Sequence, residues 1–225
     1  MEEGGVSDGR CAGGRHGEVA DVCVSTGAGP LKSSKEVEIK FAINDLTAVE
    51  RKLQAAGFRC ITPRTHEYNT LYDFPAQRLR RRGGMLRLRK YGDQWILTHK
   101  AKGKTGRHKS RVETETMVGD GKQVDIILRL LGLAPSFVYE KYRAEWSDGN
   151  GHVLLDETPI GNIGEIEGAP RWIDATAEKL GVSRKDYVTD TYAPMFFAWK
   201  RRTGHPATEM TFAAIRGKKP RSSRV

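Results

Sequence analysis

The sequence predicts an α+β chain: an eight-stranded antiparallel β-barrel tunnel with a charged lumen and helices packed on the outside. Three observations predict it. In the run from Lys35 to Phe41, Glu36, Glu38 and Lys40 alternate with Val37, Ile39 and Phe41. Successive strand side chains point to opposite faces, so this strand has one apolar face and one that reads Glu, Glu, Lys. The alternation recurs with paired like charges: Arg87 and Arg89 among leucines, Glu113 and Glu115 after Arg111, Lys141 and Arg143 about Tyr142, and Glu165 and Glu167 about Ile166. An ordinary solvated sheet mixes signs at neighbouring positions to avoid repulsion. Finally, short turn-forming runs such as Gly83-Gly84, Gly92-Asp93 and Asp148-Gly149-Asn150-Gly151 join the strands and favour antiparallel pairing.

The elements follow in order. A first strand is predicted over roughly 35–43, then a helix over about 45–57 that Asn44 or Asp45 caps and Gly57 closes, with Leu46, Val49, Leu53 and Ala56 at helical spacing. Tyr68 to Asp73 reads as the second strand, ended by Pro75. Strands three and four fall near 85–91 and 94–101, and the fifth near 110–117 after a basic loop at 102–109. A helix over about 121–132 carries Val124, Ile127, Leu128 and Leu131. Strands six to eight are expected near 137–147, 152–157 and 163–168. Helices over about 170–181 and 190–200 complete the core, the second holding Tyr192, Met195, Phe196 and Trp199.

The alternation leaves an orientation to decide. Apolar faces filling the lumen would leave three amphipathic helices with no apolar sheet to cover. Apolar faces pointing outward beneath the helices put the charges in a water-filled channel, the arrangement expected here. Burying that much charge requires compensation by opposite signs, metal ions, water or substrate. The inward set is nearly balanced: Glu36, Glu38, Glu113, Glu115, Asp156, Glu165 and Glu167 against Lys40, Arg87, Arg89, Lys100, Arg111, Lys141 and Arg143.

Composition fits one globular domain with ragged ends: 38% of the 225 residues are hydrophobic and 29% charged. Residues 1–34 are glycine-rich and predicted to be a disordered leader, 35–201 the barrel domain, and 202–225 a basic tail. No apolar run approaches the roughly 20 residues of a membrane span, and no signal core follows the N-terminus, so a cytoplasmic location is expected. The three cysteines, Cys11, Cys23 and Cys60, lack metal-ligand spacing. The net charge of +10 attracts polyanions, partly through Arg78, Arg80, Arg81 and Arg82 and through Lys218, Lys219, Arg221 and Arg224. No basic helix or aromatic stacking strip accompanies these tracts, so nucleic acid is not the expected partner. A homodimer is compatible with the pattern.

The residue types point to phosphate chemistry. Arginine forks match phosphate oxygens bidentately and lysine adds a compact charge, so Arg87, Arg89, Lys100, Lys141 and Arg143 together suit a chain of phosphates. Hard divalent cations take carboxylate oxygens, and Glu36, Glu38, Glu165 and Glu167, helped by Asp156, suit one or two such ions. His66, His99 and His108 lack ligand spacing, and no nucleophile elbow, P-loop or Rossmann fingerprint is present.

The ordered set Glu36-Val37-Glu38-Ile39-Lys40, Leu86-Arg87-Leu88-Arg89, Leu97 to Lys100, Arg111 to Glu115, Lys141-Tyr142-Arg143, Leu155-Asp156 and Gly164-Glu165-Ile166-Glu167-Gly168 resembles the CYTH superfamily of triphosphate tunnel metalloenzymes. The resemblance covers about residues 35–200. It implies a tunnel that binds a triphosphate (ATP, thiamine triphosphate or tripolyphosphate) with Mg²⁺ or Mn²⁺. By that resemblance the metal ligands are Glu36, Glu38, Asp156, Glu165 and Glu167. The substrate-binding set is Lys40, Arg87, Arg89, Lys100, Arg111, Lys141 and Arg143, and the catalytic set Glu36, Glu38, Lys40 and Lys100. Glu113 and Glu115 either orient arginines or touch a second metal. Tyr192 lies in a segment that resembles the family's tunnel-closing helix. The expected activity is triphosphate hydrolysis; the alternatives are a class IV adenylate cyclase, which makes cyclic AMP and pyrophosphate, and a non-catalytic polyphosphate-binding or nucleotide-binding module.

Overall fold

The structure, a computed structural model, describes residues 33–216. The predicted leader, with Cys11 and Cys23, and the basic residues from Lys218 onward lie outside the described residues. In chain order the elements are β1 (Ser33–Ile43), α1 (Leu46–Ala55), β2 (Arg59–Asp73), α2 (Arg78–Arg81), β3 (Met85–Tyr91), β4 (Gln94–Lys100) and β5 (Lys104–Thr105). There follow β6 (Lys109–Val118), α3 (Gly121–Leu130), β7 (Ala134–Ser147), β8 (Gly151–Thr158), β9 (Gly161–Gly168), α4 (Pro170–Leu180), α5 (Tyr192–Thr203) and α6 (Phe212–Arg216).

Eight of these strands close on themselves in the order β1-β9-β8-β7-β2-β3-β4-β6, with β6 returning to β1 and the two-residue β5 hanging on β6. Every pairing is antiparallel. β1 makes the closure by pairing Ser33–Glu38 with β6 and Glu38–Ile43 with β9. Where β6 has left its edge, Lys40 exchanges backbone hydrogen bonds of 2.8 Å with Val188. The β1–β9 seam depends on Gly164, which sits opposite Phe41. A Cβ there would come 2.1 Å from the Phe41 ring, so only glycine lets that ring lie against β9 in the register that sets Lys40 opposite Glu165.

The apolar faces point outward. Ile39, Val153 and Ile166 are fully buried beneath Leu53 of α1 and Ile173, Ala177 and Leu180 of α4. Each such side chain contributes roughly 1.5–3 kcal/mol on leaving water. The side chain of Asp45 starts α1 by accepting from the Ala48 N–H at 3.0 Å. A second cluster sets Leu128 of α3 against Leu88 and Tyr72 on another side of the wall. The third lies at one end of the barrel: Tyr192, Ala193 and Phe196 of α5 pack with Phe137, Tyr139 and Ile163. Thus two helical layers cover the outside while α5 plugs an end.

Four stretches differ from the sequence reading. β2 begins at Arg59 rather than Tyr68, because its irregular first half pairs with β7 through register shifts about Thr62. The arginines near residue 80, over which no element is predicted, form the short helix α2. The basic loop after β4 carries β5, and its last residue, Lys109, is buried at the start of β6. Part of the predicted tail is structured: Met210 is fully buried and exchanges backbone hydrogen bonds with β7, accepting from Glu140 at 3.1 Å and donating to Val138 at 3.0 Å.

Candidate active site

The lumen encloses a cavity of about 340 Å³, lined by charged side chains from six strands. All twelve sequence-predicted site residues except Asp156 line it. Asp156 is fully buried in the wall behind. None of His66, His99 and His108 lines the cavity.

The alternation of β1 and the β1–β9 register bring three carboxylates together. One oxygen each from Glu36, Glu38 and Glu167 lies within 4.8 Å of the other two. Burial, reinforced by the carboxylates of Glu165 and Glu36, pushes Glu167 up to about 8. Burial also raises Glu36, with Glu38 and Glu113 adding to it against the opposing Lys100. Glu38 is buried too, yet Lys40 and Lys109 outweigh burial and hold it below the usual carboxylate range. Glu36 and Glu38 each have a lysine partner, whereas Glu167 has no salt bridge among the described residues, and a divalent ion with oxygen ligands fits the side of the trio that the lysines leave uncompensated.

The other two acidic positions are placed differently. Asp156 takes a two-pronged contact from Arg143 at 2.7 Å, a Lys141 ammonium at 2.9 Å and the Tyr192 hydroxyl. Glu165 meets Arg143 at 3.0 Å, Lys40 at 3.5 Å and the Tyr192 hydroxyl at 2.6 Å. Despite burial, Lys40, Arg143 and Lys141 hold Glu165 well below the usual range. These two carboxylates order the basic residues and the plug helix, and their oxygens are already occupied.

The basic residues divide in the same way. Lys141 and Arg143 are committed to Asp156. Lys40 pairs with Glu38, and Lys100 lies between Glu36 at 2.7 Å and Glu113 at 2.9 Å. Arg87 and Arg89 are held more loosely. Arg87 has Glu113 at 3.7 Å and Glu115 at 3.8 Å, and Arg89 has Glu115 at 3.1 Å. The Nε atoms of Arg87, Arg89 and Arg111 are buried without a hydrogen-bond partner among the described residues. Glu113 and Glu115 thus orient arginines and Lys100.

Sequence reasoning missed Glu145 and His152, which line the cavity, and three polar residues buried in the barrel. Glu67 is fully buried, with Lys141 and Arg89 at 3.7 Å and Arg143 at 3.9 Å, and neither of its oxygens finds a hydrogen bond among the described residues. Asn69, two residues on, is also fully buried with its amide unpartnered. Lys109 stands 3.4 Å from Glu38. Burial, with Arg111 and Lys40 close by, lowers it to about 8 even though Glu38 opposes the shift.

The sequence profile of the CYTH domain matches residues 34–192. The chain belongs to the CYTH family. No curated protein sequence matches it. Among solved structures, this CYTH chain is similar to a Vibrio parahaemolyticus protein named as a candidate adenylate cyclase, with 18% identity and a TM-score of 0.64, covering 74% of this chain and 99% of that one. It is similar to the PH1012 protein of Pyrococcus horikoshii at 21% identity and a TM-score of 0.62, covering 71% and 98%. A Hippeastrum protein, a candidate adenylyl cyclase described with a dominant triphosphatase activity, matches at 18% identity and 0.56, covering 72% and 95%. At such identities the likeness concerns the fold: the CYTH barrel, closed by eight antiparallel strands.

Proposed function

We infer that this CYTH chain is a divalent-metal-dependent enzyme that binds a triphosphate along its lumen and hydrolyses the phosphoanhydride. The observation that carries the reading is the convergence of Glu36, Glu38 and Glu167 in the same cavity as Arg87, Arg89, Lys100 and Arg111. A pure anion binder gains nothing from a crowd of anions beside its ligand, which disfavours a non-catalytic module.

Glu36, Glu38 and Glu167 would hold Mg²⁺ or Mn²⁺. Such an ion, when bound, polarises a phosphoryl oxygen and acidifies a coordinated water. The phosphate chain lies on the basic wall. Arg87, Arg89 and Arg111 have unpartnered guanidinium donors to offer it, and Lys100 exchanges its carboxylates for phosphate oxygens. Those cations stabilise charge on the transferring phosphoryl group, and their anchoring on the lumen wall keeps the required rearrangement to an exchange of side-chain partners. Lys141 and Arg143, locked to Asp156, set the electrostatic potential of the cavity from behind.

Attack by the 3′-hydroxyl of ATP on its α-phosphorus, the cyclase reaction, would use the same walls. The names of two fold relatives favour keeping it as the second reading. Incubation of the purified protein with ATP and with tripolyphosphate, each with and without Mg²⁺ or Mn²⁺, separates the two by product. Metal-dependent release of orthophosphate is expected. Cyclic AMP with pyrophosphate would select the cyclase, and absence of metal-dependent turnover on both substrates would overturn the enzymatic reading.

A further inference from the structure

Glu167 has a second neighbour on the lumen face. Across the β1–β9 seam it stands opposite Glu38, and across the β8–β9 pairing it stands opposite His152. Directly opposed residues of an antiparallel pair send their side chains to one face of the sheet, with Cβ atoms about 4.5–5.5 Å apart. Carboxylate, carboxylate and imidazole therefore form one row across three adjacent strands, on the inner face of the barrel. His152 lines the central cavity together with Glu36, Glu38 and Glu167. It also lines a second cavity, of about 380 Å³, that opens at the mouth beside Glu36 and Glu167.

We propose, on the reading of the three carboxylates as a divalent-metal site, that His152 is a further ligand of the same ion and biases the site toward first-row transition ions over Mg²⁺. Mg²⁺ takes oxygen ligands and gives up its waters reluctantly, so an imidazole beside it gains little. The affinity of a nitrogen donor rises instead from Mn²⁺ to Co²⁺ and beyond. Three carboxylates alone would not draw that distinction.

Two features set His152 apart from a histidine that only faces water. The first is a braced backbone beneath it. The Ser147 hydroxyl donates to the Gly151 carbonyl at 2.8 Å, and the Asp148 carboxylate accepts from the Asn150 N–H at 2.9 Å and from the Trp172 indole N–H at 3.0 Å. Gly151 has no room for a side chain: a Cβ would come 2.5 Å from the Trp172 ring and 2.7 Å from the Glu167 carbonyl oxygen. The turn thus holds β8 tight against β9 at the residue before His152, as a ligand position requires. The second feature is an uncommitted ring. His66, His108 and His205 each spend a ring nitrogen, on Glu140, on Asp174 and on the Ala207 N–H. The His152 side chain is exposed and has no hydrogen bond or ion pair among the described residues. The cluster within 4.8 Å holds the three carboxylates without the imidazole, so His152 joins them by a change of rotamer, which an unpaired exposed side chain makes at little cost.

The test is calorimetric titration of the full chain with Mg²⁺, Mn²⁺ and Co²⁺, for wild type, His152→Ala and Glu167→Gln. The Mn²⁺-loaded proteins are also read by pulsed electron paramagnetic resonance for coupling to a directly bound imidazole nitrogen. His152→Ala trims an exposed side chain, so its melting temperature without metal should match wild type. The expected result is nitrogen coupling in wild type that His152→Ala abolishes. Co²⁺ binding should weaken roughly tenfold or more in that variant, Mn²⁺ binding less, and Mg²⁺ binding not at all. Mn²⁺ that shows no nitrogen coupling, or coupling that persists in His152→Ala, would overturn the role of His152. If Glu167→Gln still weakens all three ions in that case, the carboxylate site stands without it. Equal losses for Mg²⁺ and Co²⁺ in His152→Ala would refute the selectivity. Metal binding that Glu167→Gln leaves unchanged would sink the carboxylate site, and the place of His152 in it.

Discussion

The Tyr192 hydroxyl lies 2.6 Å from a Glu165 carboxylate oxygen and also reaches Asp156, so the plug helix α5 is tethered to the acidic floor of the lumen. A phenol has one proton to give, and burial together with those two carboxylates pushes its ionisation well above the usual phenol range. Tyr192→Phe keeps the ring stacked on Tyr139 but leaves two buried carboxylates short of a donor. The expected cost is about 1–3 kcal/mol, read as a lower midpoint in urea or thermal unfolding. An unchanged midpoint would mean that the arginine and lysine contacts alone satisfy Asp156 and Glu165.

The parts of the barrel legible in the sequence were those where charge and apolarity alternate strictly. β1, β3 and β9 carry that pattern over several residues, and amphipathic α1, α3 and α4 force the apolar face outward. Glu67 escaped because its strand reads His-Glu-Tyr-Asn-Thr-Leu, in which neither face is apolar and no second like charge marks the lumen side. Lys109 escaped because it ends a basic loop and looked like part of it. Ala207 and Met210 lack any periodicity: their burial comes from docking on the edge of β7, a tertiary fact with no local trace. The difference between the carboxylates of the Glu36–Glu38–Glu167 cluster and those bound by Arg143 was equally invisible, since Glu165 and Glu167 share one strand face and differ only in what the neighbouring strands bring to them.

Glu67 should behave as the hidden counter-ion of the basic wall. Although burial opposes it, Lys141, Arg143 and Arg89 hold its carboxyl far below the usual range. A depressed folded-state pKa contributes stability that is present above the unfolded value, near 4.3, and is lost as pH falls below it. Glu67→Gln should lower stability at pH 7 by about 3–5 kcal/mol and flatten the acid limb of the stability curve. Parallel acid limbs for the two proteins would show that other carboxylates carry the acid response.

Arg87 tests the phosphate wall. It is buried, contacts its carboxylates only beyond 3.5 Å, and has an unpartnered Nε. Arg87→Ala should weaken tripolyphosphate binding by roughly tenfold or more, since a charge-assisted contact is lost. Orthophosphate binding should change far less, because one phosphate can use the remaining cations. Equal losses for both anions would count against a cradle that spans several phosphates.

Glu167 links metal, proton and stability. In the metal-free protein its carboxyl is raised to about 8, so between the unfolded value and that point the folded state binds the extra proton. Its contribution to stability therefore falls as pH rises through this window, opposite in sign to that of Glu67. Glu167→Gln should remove that decline, leaving the metal-free protein more stable than wild type near pH 8. A divalent ion bound at the trio below pH 8 must displace the proton, so Mg²⁺ or Mn²⁺ titrations in buffers of different ionisation enthalpy should report release of about one proton per ion. The same substitution, like Glu38→Gln, should weaken metal binding by roughly 100-fold or more and nearly abolish turnover with the fold intact. Tight, proton-neutral metal binding in wild type, unaltered in either variant, would place the ion elsewhere in the lumen and leave the three carboxylates without their assigned role.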